Sequence, residues 1–141
     1  MNRIKELEEQ NYNFNQHGYE GLRVYRLGFR LAMVIFELSK LFPKEEKYAL
    51  TDQVRRSARS ICANIGEGYR KRTYPKLFTM RLIDADGECS ETMVHLKFAN
   101  ACKYISDDEV DYFAKQYDEV GKMLNTMIQN PDRFVPKKII E

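Results

Sequence analysis

Residues 51–69 read TDQVRRSARSICANIGEGY. With Leu50 before them, Val54, Ala58, Ile61 and Ile65 recur at 3- and 4-residue steps, the period of one buried helix face. The spacing predicts a helix from Glu45 or Thr51 to Ile65. Gly66 and Gly68 are expected to end it, because glycine readily takes the left-handed conformation at a helix C-terminus. Arg55, Arg56 and Arg59 fall on the side away from the apolar stripe. Gln53, Ser57, Ser60, Asn64 and Glu67 follow 4-3-4-3 steps along one edge of it. Such a polar seam needs hydrogen-bond partners wherever it is buried, since an unpaired polar group costs ~1–3 kcal/mol.

Three more helices follow from period and punctuation on either side. Upstream, Leu22–Leu41 carries two apolar series, one through Tyr25, Phe29, Ala32 and Phe36, the other through Val24, Leu27, Leu31, Ile35 and Leu38. One stripe suffices for an intrachain core, so two imply a second packing surface, expected to be another subunit. Phe42-Pro43 ends that helix. Downstream, Pro75 suits the first turn of a helix reaching about Lys103. Its expected inward residues are Phe78, Leu82, Ala85, Cys89, Met93 or Thr92, Leu96, and Ala99 or Asn100. Ser106-Asp-Asp-Glu109 has the form of a capping box. The helix after it places Val110, Phe113, Tyr117, Val120, Leu124 and Met127 on one face, until Asn130-Pro131 stops it. Helices of ~20–29 residues with short connections predict an all-α fold, an antiparallel up-down-up-down four-helix bundle over residues 22–130. Residues 1–21 form an N-terminal extension and 131–141 a loose C-terminal tail.

Composition fits a single globular domain: 141 residues, 43% hydrophobic, net charge +2. A chain of this length buries roughly 68–70% of its unfolded surface and folds without a disulfide or metal. The longest apolar run, Leu31–Phe36, is far short of the ~20 residues that span a bilayer. The first residues have no apolar core of a secretory signal. Three irregularly spaced cysteines imply reduced thiols and a cytoplasmic location.

The small net charge hides an uneven distribution. Residues 43–82 carry 10 basic and 4 acidic side chains, a balance of +6, whereas residues 83–141 carry 7 and 12, a balance of −5. The asymmetry fits a polyanionic partner, or pairing of the two halves within or between subunits.

No catalytic or metal centre is legible. Asp84, Glu88, Glu91 and His95 share one helix stripe, but a di-iron bundle needs Glu-x-x-His on two helices. Cys62, Cys89 and Cys102 lack zinc spacing. Nothing places His95 beside a cysteine as a base. Gly66-Glu-Gly68 follows a helix instead of opening one after a strand, so it is not a phosphate loop. The expectation is a non-enzyme with no cofactor.

The basic residues carry the functional reading. Arg55, Arg56, Arg59, Arg70, Lys71, Arg72, Lys76 and Arg81, with Tyr69 and Tyr74 among them, combine guanidinium groups and aromatic rings suited to phosphates and bases. The alternatives are a solvated face, or arginines paired with an acidic stripe of another subunit.

Two blocks are similar to a known family. FPKEEKYALTDQVRR (42–56) and SICANIGEGY (60–69) resemble, at matching spacing, the 23S rRNA intervening-sequence proteins, also called four-helix bundle proteins. The resemblance continues through ADGECSE (85–91) and VGKML (120–124), covering roughly residues 22–130. The chain departs from the family pattern at Gly66, where alanine is usual, and at Glu88, where serine is usual. The resemblance implies a homopentameric ring and no established enzymatic activity. Members are encoded in intervening sequences of 23S rRNA genes, and many homologues elsewhere. Relatives include the accessory protein of diversity-generating retroelements, a basic pentamer that binds nucleic acid and a reverse transcriptase. It also implies a structural role for Asn64, Glu67 and Glu91, hydrogen-bonding between the second and third helices. With Gln53 and Ser60 they make up the structural seam. The expected function is binding of structured RNA or DNA by the basic surface. The alternative is a protein-interaction scaffold, with a protein partner and arginines that serve subunit pairing.

Overall fold

The computed structural model describes residues 2–136. Five α-helices are present among them: α1 (Asn2–Glu8), α2 (Arg23–Ser39), α3 (Asp52–Arg70), α4 (Pro75–Ala101) and α5 (Asp107–Gln129). Short 3-10 turns lie at Gly18–Gly21, Lys44–Glu46 and Pro131–Phe134, and a π-turn over Lys47–Thr51 leads into α3. Each of α2 to α5 packs on the next, and α5 closes onto α2. The tight links 71–74 and 102–106 fold each helix back on its predecessor, so α3, α4 and α5 run antiparallel within a four-helix bundle.

The core is built from the stripes the sequence offers. Val54, Ala58, Ile61 and Ile65 of α3 are fully buried, and Val110, Phe113, Tyr117, Val120, Leu124 and Met127 of α5 all point inward. On α4 the inward position is Thr92, not Met93. The Thr92 hydroxyl donates to the Ser57 hydroxyl at 2.9 Å, and Ser57 passes a bond to the Val54 carbonyl at 3.2 Å. A buried polar pair that satisfies itself avoids the cost that Ser57 alone would bring.

Gly66 and Gly68 do not end the third helix; α3 continues to Arg70. A mid-helix glycine costs ~1 kcal/mol relative to alanine, and here it allows close approach of α4. A Cβ at Gly68 would lie 3.0 Å from the Arg81 Cβ and 3.3 Å from the Phe78 carbonyl oxygen. The left-handed cap is found instead at the end of α4. There Lys103 takes φ 66° and Tyr104 N–H reaches back to the Ala99 carbonyl at 2.8 Å.

The Tyr25–Phe29 part of the outer α2 stripe is partly covered by the chain's own N-terminal segment. Tyr12 and Phe14 set their rings 5.3 and 5.2 Å from Phe29, edge-on, and Tyr19 packs on Tyr25. Arg26 donates to the carbonyls of Glu20 and Asn15, and Arg30 to that of Gln10, while both guanidinium groups lie against Phe14. The extension is therefore a strap with a helix at its head, and two α2 arginines serve to hold it. The tail is ordered into a 3-10 turn, and Phe134 packs against Phe78 at 5.5 Å. Its last residues, Lys137 and Lys138 included, lie outside the described residues.

Ser106 and Glu109 form the expected capping box, with the Ser106 hydroxyl accepting from Glu109 N–H at 3.1 Å and the Glu109 carboxylate from Ser106 N–H at 2.9 Å. Glu109 is buried, and its second task is to receive the Arg3 guanidinium through both oxygens, which clasps α1 to α5. The Arg3 bond, with the Ser106 backbone, holds the Glu109 carboxyl down at about 2 from an ordinary 4.5. A lowered folded-state pKa gives stability that is present above about pH 4.5 and lost as pH falls toward 2. Glu109→Gln is expected to lower the unfolding free energy at neutral pH by about 2 kcal/mol. It should also flatten the loss between pH 4.5 and 2, measured by denaturant titration at each pH. An unchanged acid limb would remove Glu109 from that role.

Candidate nucleic-acid interface

The exposed face of α3 follows from its buried one. With Val54, Ala58, Ile61 and Ile65 turned inward, residues Arg56, Arg59, Ala63, Glu67 and Arg70 succeed one another at 3- and 4-residue steps on the opposite side, and all five are exposed. From Arg56 to Arg70 this row is about 21 Å long. Lys71, Arg72 and Lys76 continue the charge around the turn into α4.

The eight basic residues of the sequence reading divide into two groups. Three are held by neighbours. Arg55 donates to Ser39 Oγ at 2.7 Å and to the Phe36 carbonyl at 3.3 Å, and stacks over the Phe36 ring. Arg72 lies 4.1 Å from the Tyr69 ring centre and donates to the Tyr69 carbonyl. Arg81 bridges to Glu67 at 3.3 Å and to Asp84 at 3.8 Å. By contrast Arg56, Arg59, Arg70, Lys71 and Lys76 form no ion pair among the described residues. Arg59 does rest 5.7 Å from the Phe36 ring centre.

The seam residues are spread between helices and solvent. Asn64 donates to the Ser60 carbonyl at 2.9 Å within α3. Gln53 and Ser60 are half-buried, and their side chains make no hydrogen bond among the described residues. Glu67 reaches across to α4 through Arg81, whereas Glu91 stays on α4 with His95 at 3.6 Å. Asn64 and Glu91 are thus not bonded to each other. The Glu88 carboxyl is pushed up by burial and by Glu91, with Arg56 pulling the other way. Among the described residues, no group of three or more His, Cys, Asp or Glu side chains is placed to share a cation. Cys62 and Cys89 are buried and their thiols pushed up to about 12, chiefly by desolvation, which leaves them un-ionised at neutral pH. No helix among the described residues is long and apolar enough to cross a membrane.

A second feature escaped the sequence reading. Beside the arginine row, residues of α2, α3 and the turn at Tyr19 line an apolar hollow of roughly 520 Å³. Its floor is Ala32, Cys62 and Gly66, and its walls are Tyr19, Tyr25, Phe29 and Met33. Burial pushes the Tyr25 hydroxyl up to about 12. The usable signal was the series Tyr25, Phe29, Ala32 on α2, which reads as a subunit contact until the strap is placed.

Comparison with known proteins gives one family. Residues 20–126 match the profile of the 23S rRNA-intervening sequence protein family. The crystal structure of a protein of unknown function from the S23 ribosomal protein family of Bacteroides thetaiotaomicron VPI-5482 is similar, with a TM-score of 0.67 and 27% identity. The likeness covers 75% of this chain and 98% of that one. No curated protein matches the chain.

Proposed function

The chain belongs to the 23S rRNA-intervening sequence protein family, and from that premise we propose a non-enzymatic, cytoplasmic, homo-oligomeric bundle that binds structured RNA or DNA through the exposed face of α3 and the turn after it. The observation that carries the reading is the row of unpaired cations. Arg56, Arg59, Arg70, Lys71 and Lys76 make no ion pair among the described residues, although a −5 second half is available to them. Exposed guanidinium and ammonium groups along one helix face suit a phosphate backbone, which positions a nucleic acid without reading its sequence. Arg55, Arg72 and Arg81 act by holding the surface in shape.

Fluorescence anisotropy with a structured RNA at about 50 and about 200 mM salt tests this. Several neutralised phosphates would give micromolar or tighter binding that falls steeply between the two. Absence of binding at the lower salt would overturn the reading.

Self-association, as the pentamer the family resemblance implies, is supported by α4. Leu77, Met80, Ile83, Val94 and Phe98 are between 45% and 62% exposed on the side of that helix turned away from the core, in two apolar patches separated by Gly87, Ser90 and Glu91. Exposed apolar patches of this kind mark an interaction site. Met80→Asp with Ile83→Asp is expected to reduce the assembly to monomers in light scattering while helicity by circular dichroism stays within about 10%. An assembly that survives both changes would move the interface elsewhere.

The scaffold reading is favoured by one observation, the exposed carboxylates of α5, of which only Asp118 and Glu119 meet a cation, Lys122, among the described residues. There the arginine row of one subunit would answer the acidic face of the next. High salt would then split the assembly, whereas in the first reading it persists.

A further inference from the structure

We infer that the hollow between α2 and α3 receives an unpaired nucleobase of the bound nucleic acid. The inference deepens the preceding reading and rests on it.

The hollow's place decides its occupant. A second depression lined by Arg55, Arg56 and Arg59 adjoins it and shares Arg59 and Ala63 with it. A third, with Tyr69, Arg70 and Arg72, adjoins its other end and shares Tyr19 and Arg70. An aromatic-walled cavity is thus bracketed at both ends by guanidinium groups, Arg59 and Arg70, about 16 Å apart along α3. A strand laid on the row would place phosphates on the arginines and a base over the cavity. The distance corresponds to about five nucleotides at the duplex rise of ~3.4 Å, and to fewer in an extended strand.

The chemistry inside suits a base. Tyr19, Tyr25 and Phe29 offer ring surfaces and Met33 a polarizable thioether. Gly66 lets the Tyr19 ring lie close over α3, since a Cβ there would already touch that ring at 3.5 Å. Unpaired bases can be splayed out and stacked on such rings, whereas bases within a duplex cannot leave their stack without cost. An apolar peptide side chain would gain nothing from a cation at each end of the cavity. The one carboxylate at the rim, Glu67, is already turned to Arg81, which leaves the rim's other two charges, Arg59 and Arg70, facing the ligand.

The test compares two RNAs of equal length, a hairpin with an unpaired loop and a fully paired duplex, by anisotropy with the full chain. Wild type is expected to bind the hairpin roughly tenfold tighter than the duplex. Ala63→Phe, at an exposed position lining the cavity, should abolish that preference, read as the ratio of the two affinities. Aminopurine fluorescence in the loop should be quenched on binding wild type and not on binding the variant. Equal affinity for the two RNAs, or a preference that persists in Ala63→Phe, overturns the pocket and leaves the phosphate-binding reading intact. Binding of neither RNA overturns both. Loss of the wild-type assembly in Ala63→Phe by light scattering would put a second copy in the cavity, and also overturns the inference.

Discussion

Reversing Arg56, Arg59 and Arg70 to glutamate together is expected to weaken binding of a structured RNA by roughly 100-fold or more near 0.1 M salt. Each phosphate contact contributes about 0.9 to the slope of log affinity against log salt, so three lost contacts flatten that slope by about 3. The loss should be similar for unrelated sequences, because phosphate contacts carry no base information. All three side chains are exposed and none makes an ion pair among the described residues, so folding should be unaffected. Anisotropy titrations at several salt concentrations, with circular dichroism as a folding control, decide the matter. An unchanged slope in a folded variant would remove the row from the interface. Arg55 is the instructive control: its bonds to Ser39 and Phe36 mean that Arg55→Glu should cost stability as well as affinity.

The largest expected effect on stability is at Phe78. This side chain is fully buried in the first turn of α4, its ring beside Phe134 and its carbonyl oxygen beneath Gly68. Phe78→Ala removes a large buried ring and leaves a cavity that the tight α3–α4 approach cannot collapse. The cost is about 4 kcal/mol. For a domain of this size the thermal midpoint should fall by roughly 12 °C. A shift of less than about 3 °C would mean that the junction is not packed as described.

Much of the fold was legible because its signals are local. The capping box at Ser106 lies within four residues, and the α5 face from Val110 to Met127 repeats without interruption. Gly66 and Gly68 were misread for a physical reason. A glycine permits both a helix stop and a close helix crossing, and what separates the two is Phe78 and Arg81, which belong to another helix. The strap was illegible because Tyr12 and Phe14 alternate with asparagines and show no helical period. Ring contacts with Phe29 and Tyr25 and the guanidinium groups of Arg26 and Arg30 fix it in place. At the site, the outward row of α3 could be deduced from its inward stripe. That Arg55 and Arg81 are already occupied could not, since their partners Ser39 and Glu67 lie on other helices, whose relative placement the spacing leaves open. The aromatic cavity needs residues from 19 to 70 to come together.

The Arg3–Glu109 clasp also sets an order of events during synthesis. Its two halves are separated by 106 positions in the chain, and a ribosome adds ~5–20 residues per second. Arg3 is thus made ~5–20 s before the carboxylate that will hold it. The aromatic strap can settle on α2 as soon as Phe29 and Arg30 emerge, whereas the head of the strap waits for the last helix to begin. A segment made well before α5 is thus among the last to be locked, and that locking reports that α5 has started.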